Sequence, residues 1–210
     1  MRRNLDRLLR DIIAPPPGMP AADFGAPPGA AALFAPDSVT WRVMKNPVAL
    51  MIGGIAGVTL ELAEPRVRTG VWEHTGFRRD PASRIRRTGY AAMVTIYAPA
   101  ETARAMAASV SRRHAMITGA TPSGAPYRAD DPELLTWVHA TAAFGFLEAY
   151  RRFVHPLTEA ERDQYYAEGA VAAGLFGAAS APQDARAVDA LLQTMRPKLE
   201  RSDIVSEFMN

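Results

Sequence analysis

Residues 131–154 read DPELLTWVHATAAFGFLEAYRRFV, and this stretch decides the fold class. Asp131 followed by Pro132 marks a helix start, because aspartate caps free backbone N–H groups and proline suits the first helical position. Apolar residues then recur at spacings of three and four, which is the repeat of an amphipathic helix with one core-facing side. The stretch therefore predicts the longest helix of the chain.

The same start signals recur on both sides of this helix. Asn46-Pro47 and Asp80-Pro81 repeat the cap-and-proline pair, and Thr158 with a glutamate three residues later forms a capping box. Together with the apolar repeat they predict further helices over residues 47–63, 66–74, 81–97, 99–119, 158–176, 182–195 and 202–210. Residues 120–130 are predicted as a loop, and no segment alternates with period two over the length of a strand. We predict an all-α, single-domain bundle of about eight helices that encloses an apolar pocket.

The first 36 residues differ in composition from the rest. Residues 1–13 predict a short amphipathic helix, and residues 15–36 are rich in proline, glycine and alanine. This second segment is typical of an extended arm that lies on the surface or on a partner subunit. An arm around a neighbour would make the protein a homo-oligomer. We therefore divide the chain into an N-terminal helix and arm, 1–36, and a helical domain, 37–210.

Composition excludes several classes of function. Lys and Arg total 24 against 22 Asp and Glu, and the arginines are dispersed, so we predict no nucleic-acid partner. The absence of cysteine excludes disulfides, thiolate metal sites and a cysteine nucleophile, and it fits the reducing cytoplasm. The longest apolar run, residues 48–60, falls short of the about 20 residues that span a bilayer. The N-terminus also lacks the apolar core of a signal peptide.

Two histidines are predicted to lie on apolar helix faces. His114 shares a predicted face with Val110 and Ile117. His139 shares a face with Phe146, seven residues later. A buried neutral imidazole needs a hydrogen-bond partner or a metal. From spacing alone a hydrogen-bonded core histidine is the commoner arrangement, and a metal ligand is the alternative.

Arg84 and Thr88 are four residues apart and therefore share a face of their predicted helix, with Arg87 beside Thr88. An arginine in such a position is more often part of a structural ion pair than of a binding site. A Gly-rich phosphate loop, a nucleophile elbow, a His-Glu-x-x-His pair and a βαβ pattern are all absent from the sequence. Histidine and arginine are thus the remaining candidates for chemistry.

An ordered set of motifs runs along the chain. It comprises EHTGF at 73–77, DP at 80–81, RIRRT at 84–88, GAPYRADDP at 124–132, WVHAT at 137–141, DQYYAE at 163–168 and LFG at 175–177. In this order, between about residues 38 and 205, they resemble the DUF2236 family of MpaB-type oxygenases and latex-clearing rubber oxygenases. The resemblance implies an all-α fold that holds a b-type haem. It also implies an oxygenase whose partners are dioxygen and a hydrophobic, unsaturated small molecule.

The resemblance implies a distal side for the haem. Arg84, Arg87 and Thr88 take the positions of an Arg-x-x-Lys-Thr segment in the rubber oxygenases, so Arg84 and Thr88 are candidate catalytic residues and Arg87 a candidate cofactor-binding residue. Glu73 is a candidate distal acid or base. Arg87 departs from the family, which has lysine there, and a permanently protonated arginine argues against six-coordination by that residue.

The resemblance also implies the iron ligand. His114 is the first histidine downstream of the distal segment and takes the role of proximal ligand to the haem iron. His139 is a second histidine of the pocket and the alternative ligand. Both are therefore candidate cofactor-binding residues.

Two rival functions remain open. Glu64 precedes a proline where the family often has histidine, and the chain ends at Asn210, where the resemblance leads us to expect a further helix. These departures favour a metal-free binding module for a lipid-like ligand. The N-terminal arm favours the other rival, a structural or oligomerisation domain.

Overall fold

The computed structural model describes residues 14–209, with all of their side chains except those at positions 48 and 209. Within this range the chain forms nine α-helices: α1 (Val39–Met44), α2 (Pro47–Ala63), α3 (Pro65–His74), α4 (Pro81–Tyr97), α5 (Ala100–His114), α6 (Pro132–Phe153), α7 (Glu159–Leu175), α8 (Ala185–Met195) and α9 (Asp203–Met209). Short 3-10 turns cover Gly76–Arg78 and Arg196–Lys198. The all-α prediction is confirmed, and the helix predicted over residues 1–13 lies outside the described residues.

The predicted helix starts are confirmed at their caps. The side chains of Asp80 and Asp131 accept backbone N–H groups at the starts of α4 and α6, each followed by proline. Thr158 and Glu161 form the predicted capping box at the start of α7. The short helix α1 was missed, because its six residues are too few to show an apolar repeat; the Ser38 side chain caps it.

The prediction that α5 continues to residue 119 was wrong. The helix ends at His114, and the chain enters an antiparallel hairpin of β1 (Thr118–Ala120) and β2 (Pro126–Arg128). Gly119 permits this pairing, since a Cβ atom there would lie 2.5 Å from the hydroxyl oxygen of Tyr127. Apolar Ile117 continued the helical repeat in the sequence, but it lies beyond the helix and does not share a helical face with His114.

Helices α2 and α6 make the most extensive contact in the described part of the chain. Their backbones meet at glycines: a Cβ atom at Gly53 would lie 2.6 Å from the carbonyl oxygen of Gly145, and one at Gly57 would lie 3.1 Å from the Cα of Ala142. Real Cβ atoms do not approach a backbone oxygen so closely, so only glycine allows this distance between the helices. The contact fixes α2 against α6 and thereby places the polar residues that each helix carries.

The Pro/Gly-rich arm lies across α4 and α5 of its own chain. Met19, Ala22 and Phe24 pack against a buried apolar group that includes Tyr90 and Met106. Further along, Ala32 pairs with the residue just before α5 in an isolated β-bridge. None of the helices among residues 14–209 is both long and apolar enough to cross a bilayer.

Candidate functional site

Three helix ends bring Glu61 and His114 into electrostatic range of Arg84, and we call these three residues the titratable cluster. Glu61 lies in the last turn of α2, Arg84 in the first turn of α4, and His114 is the final residue of α5. Arg84 interacts with both of the others through its charge. Because α4 and α5 are consecutive and pack side by side, the start of one helix meets the end of the next.

Glu61 and Arg84 are opposite charges held in the interior. Burial raises the pKa of Glu61 from 4.5 to about 7, and the positive charge of Arg84 offsets this only in part. Burial likewise lowers the pKa of Arg84, and Glu61 opposes that change. Within residues 14–209 the two side chains form no ion pair with each other. The cluster therefore holds a carboxyl group that can gain or lose a proton near neutral pH.

His114 is held in its neutral form. Burial lowers its pKa, the positive charge of Arg84 lowers it further, and Asp130 opposes both effects. Its Nδ1 atom is buried and has no hydrogen-bond partner among the described residues. A buried nitrogen without a partner is uncommon in folded proteins and requires an explanation. A neutral imidazole with a free nitrogen is the form that binds a metal.

His139 lies on a different wall of the interior, between α6 and α7. Burial lowers its pKa to about 4. A Cβ atom at Gly169 of α7 would lie 3.5 Å from its Nε2 atom, so the missing side chain leaves space beside the imidazole. The titratable cluster exerts no resolved electrostatic effect on His139. The structure thus links Glu61 and His114 to Arg84, and no interaction recorded among the described residues links His139 to any of the three.

These four side chains are all partly buried. Each is desolvated by the surrounding protein, yet each keeps part of its surface accessible to water. This combination is typical of binding-site residues with shifted pKa values.

The other predicted site residues lie at or beyond the edge of the cluster. Thr88 is exposed, one turn along α4 from Arg84. Arg87 is exposed and donates to the carbonyl oxygen of Pro17 at 3.3 Å, which directs it toward the arm. Glu73 is exposed, and its carboxylate accepts a hydrogen bond from the Tyr127 hydroxyl at 3.1 Å. Among the described residues, no hydrogen bond or charge interaction joins Arg87 or Glu73 to His114.

Glu64, the glutamate in place of the family's histidine, has a structural role. It is 2% exposed, accepts the backbone N–H of Val67 at 2.8 Å and pairs with Arg66 at 2.7 Å. A carboxylate at a helix N-terminus is stabilised by the free N–H groups and the helix dipole. This departure is therefore accounted for by the capping of α3.

Glu61 is the cluster residue that the sequence analysis missed. It follows the apolar run at residues 48–60 and resembles an ordinary polar end to a buried helix. The available signal was its position one turn after Gly57, on a helix that glycine packing holds in the interior. A carboxylate at the end of such a helix should be weighed as a candidate site residue.

These residues fit a b-type haem in their chemistry. The iron needs one neutral imidazole from the protein, which His114 supplies with a free ring nitrogen. Arg84 is a cation that forms no ion pair with Glu61, so it can bind an anionic group of the cofactor or stabilise charge on oxygen. The grooves of about 450 Å³ beside Glu101 and about 340 Å³ beside Trp137 contain none of the predicted site residues.

Comparison with known proteins settles the family. Neither the curated proteins nor the solved structures include a match to this chain. The model of the family described as ER-bound oxygenase mpaB/B'/Rubber oxygenase, catalytic domain, matches residues 41–210, which is most of the chain. The match begins at α1 and includes the whole titratable cluster. This chain belongs to the mpaB/rubber oxygenase catalytic-domain family.

Proposed function

We propose that this protein is a haem b-dependent oxygenase that acts on a hydrophobic, unsaturated small molecule and dioxygen. The single observation that carries the proposal is His114, a neutral imidazole with an unpartnered, buried ring nitrogen beside Arg84. Membership of an oxygenase family supports the class of reaction. The cofactor and the chemical class of the substrate are the parts that we infer.

His114 would hold the cofactor, and Arg84 would serve the reaction. When bound, haem b supplies an iron centre that activates dioxygen. The Arg84 guanidinium stays protonated even though burial lowers its pKa, and it can stabilise negative charge that develops on oxygen. Thr88, one turn along the same face of α4, can donate a further hydrogen bond from its hydroxyl group.

Glu61 is the acid–base group in this proposal. A carboxyl group with a pKa of about 7 is divided between its two protonation states at neutral pH, which is the best condition for proton transfer. Glu73 has the same functional group, but it is exposed and hydrogen-bonded to Tyr127. Glu61 therefore takes the role that the resemblance implied for Glu73.

The surroundings of the cluster favour an apolar substrate. His114 and His139 are both held neutral by burial, so neither adds a charge to the interior at neutral pH. The Phe146 ring lies 3.7 Å from the point where a Cβ atom at Gly54 would stand, which gives an apolar contact between α2 and α6, the helices that carry Glu61 and His139. Pockets of this kind bind largely apolar molecules and use a few polar groups to orient them.

Isotope incorporation tests the activity. Protein loaded with haem is incubated with ¹⁸O₂ and squalene, an unsaturated isoprenoid probe, and the products are analysed by mass spectrometry. We expect labelled oxygen in the product, and about a hundredfold less with Arg84→Met at equal haem content, because one removed charge-stabilising donor costs 10²–10³ in rate. The exposed Arg104→Met on α5 is the matched control and should keep wild-type activity.

Other outcomes distinguish the rival functions. Incorporation that is equal in wild type and Arg84→Met would overturn the role of Arg84. Saturable binding of squalene without labelled product, by protein that carries no haem, would support the metal-free binding module instead.

A further inference from the structure

The titratable cluster lies at the open end of a helix pair. Helices α4 and α5 are joined by a tight connection at residues 98–99, whereas Arg84 and His114 are at the opposite ends of the two helices. With a rise of about 1.5 Å per residue, about 20 Å of helix separates Arg84 from that connection. The connection between α4 and α5 therefore does not fix the distance between the two helices at the cluster.

The N-terminal arm crosses this open end and bonds to both helices. Arg87 of α4 donates to the carbonyl oxygen of Pro17 at 3.3 Å, and Arg113 of α5 donates to the carbonyl oxygen of Gly18 at 3.1 Å. The two carbonyl groups are consecutive in the chain. The two arginines are next to Thr88 and His114 in sequence, so a single peptide segment ties α4 and α5 together at the candidate site.

A β-turn presents these two carbonyl groups. The Met19 N–H donates to the carbonyl oxygen of Pro16 at 3.0 Å, and Gly18 has a φ of +79°. A type II turn requires a positive φ at its third residue, which glycine adopts, and proline is common at the position before it. The turn is thus determined locally by the sequence Pro16-Pro17-Gly18, independently of the helices that it contacts.

A buried tyrosine anchors the arm next to this turn. Tyr90 of α4 is 2% exposed, and its hydroxyl group accepts the Ala22 N–H at 2.8 Å and donates to the carbonyl oxygen of Pro20 at 3.1 Å. Met19 and Phe24 pack against the same buried group. Polar anchoring and apolar burial therefore hold the arm in one position on α4.

We propose that residues 16–24, the brace, set the separation of α4 and α5 at the candidate site, with Tyr90 and Arg113 as positioning residues. The effect of the brace on catalysis rests on the proposed function. A rotation of about 5° at the connection would move the far end of either helix by about 2 Å. A misplacement of about 1 Å is enough to impair catalysis, so loss of the brace should lower the activity of the site.

The separation can be measured without haem. The chain has no cysteine, so spin labels at Ile85→Cys and Arg112→Cys, both exposed, report the distance between α4 and α5 near the cluster. With Tyr90→Phe or Arg113→Met, we expect the mean distance to rise or its distribution to broaden by about 2 Å, as the lever estimate gives. Arg113→Lys keeps a donor and should restore the wild-type distribution.

A second label pair and a spectroscopic signal complete the test. Labels at Met93→Cys and Arg104→Cys lie near the connection. They should give the same distance distribution in wild type and in every variant, which would show that the helices remain folded. In protein loaded with haem, Arg113→Met should broaden the paramagnetic resonance of the ferric iron, and Arg113→Lys should reverse this.

Unchanged distances between the first pair of labels in both Tyr90→Phe and Arg113→Met would overturn the brace. Failure of wild-type protein to take up haem would overturn the proposed function alone, since the label distances would still decide the brace.

Discussion

Glu61 and Arg84 show how much of the candidate site depends on tertiary contacts. Arg84 and His114 could be predicted, because their helix faces and the order of the motifs pointed to them. The importance of Glu61 arises from the burial of its carboxyl group and from the charge of Arg84, which lies on a helix further along the chain. Glu73 was predicted in that role, but the hairpin places Tyr127 against its carboxylate on the exposed side of α3.

The pKa of Glu61 leads to a prediction for Glu61→Gln. The folded protein keeps this carboxyl group protonated up to about pH 7, whereas the ordinary pKa of a glutamate is 4.5. Wild-type stability therefore falls as the pH rises from 4.5 to 7, because the unfolded state releases the proton first. Glutamine has no proton to release, so the variant should gain about 3 kcal/mol relative to wild type across this range.

Urea unfolding at pH 4.5, 6 and 8 measures this difference. Glu159→Gln, which removes an exposed carboxylate at the start of α7, is the matched control. Free energies of unfolding that run parallel for wild type and Glu61→Gln at all three pH values would show that Glu61 is not buried as described.

Helix starts were predictable because their signals are local. A capping side chain and a proline act within four residues, and the starts of α4, α6 and α7 follow them. Helix ends were less predictable. Apolar Ile117 continues the repeat of α5, but the pairing of β1 with β2 depends on Tyr127 lying over Gly119, a contact between separate segments. Local rules therefore give the elements, and the contacts between elements decide where some of them stop.

The contact of α2 with α6 gives a prediction at this scale. Gly53→Ala would place a methyl group 2.6 Å from the carbonyl oxygen of Gly145, so the two helices must separate. We expect a loss of roughly 2–3 kcal/mol in the free energy of unfolding, as in other overpacked contacts. Gly174→Ala on α7 is the matched control, because open space surrounds that position. It should stabilise the protein by about 0.5–1 kcal/mol through its helix propensity. Equal effects of the two substitutions in thermal or urea unfolding would contradict the close approach.

At the scale of the whole molecule, the fold serves to bring three helix ends to one place. The glycine contact sets α2 against α6, the antiparallel pairing of α4 and α5 brings Arg84 next to His114, and the arm crosses the open end of that pair. Each of these contacts joins segments that are distant in sequence. The all-α class could be predicted from local patterns, whereas the arrangement of the titratable cluster could not.

His114 is the residue that we propose holds a haem. The most direct test is an absorption spectrum of the purified protein, expressed with a haem precursor, alongside His114→Ala and His139→Ala. We expect a Soret band in wild type and in His139→Ala, and its loss in His114→Ala, because His114 has the unpartnered nitrogen beside Arg84. A Soret band lost only in His139→Ala would move the ligand to the wall between α6 and α7. The absence of a Soret band from wild-type protein, even after addition of haem, would contradict the account.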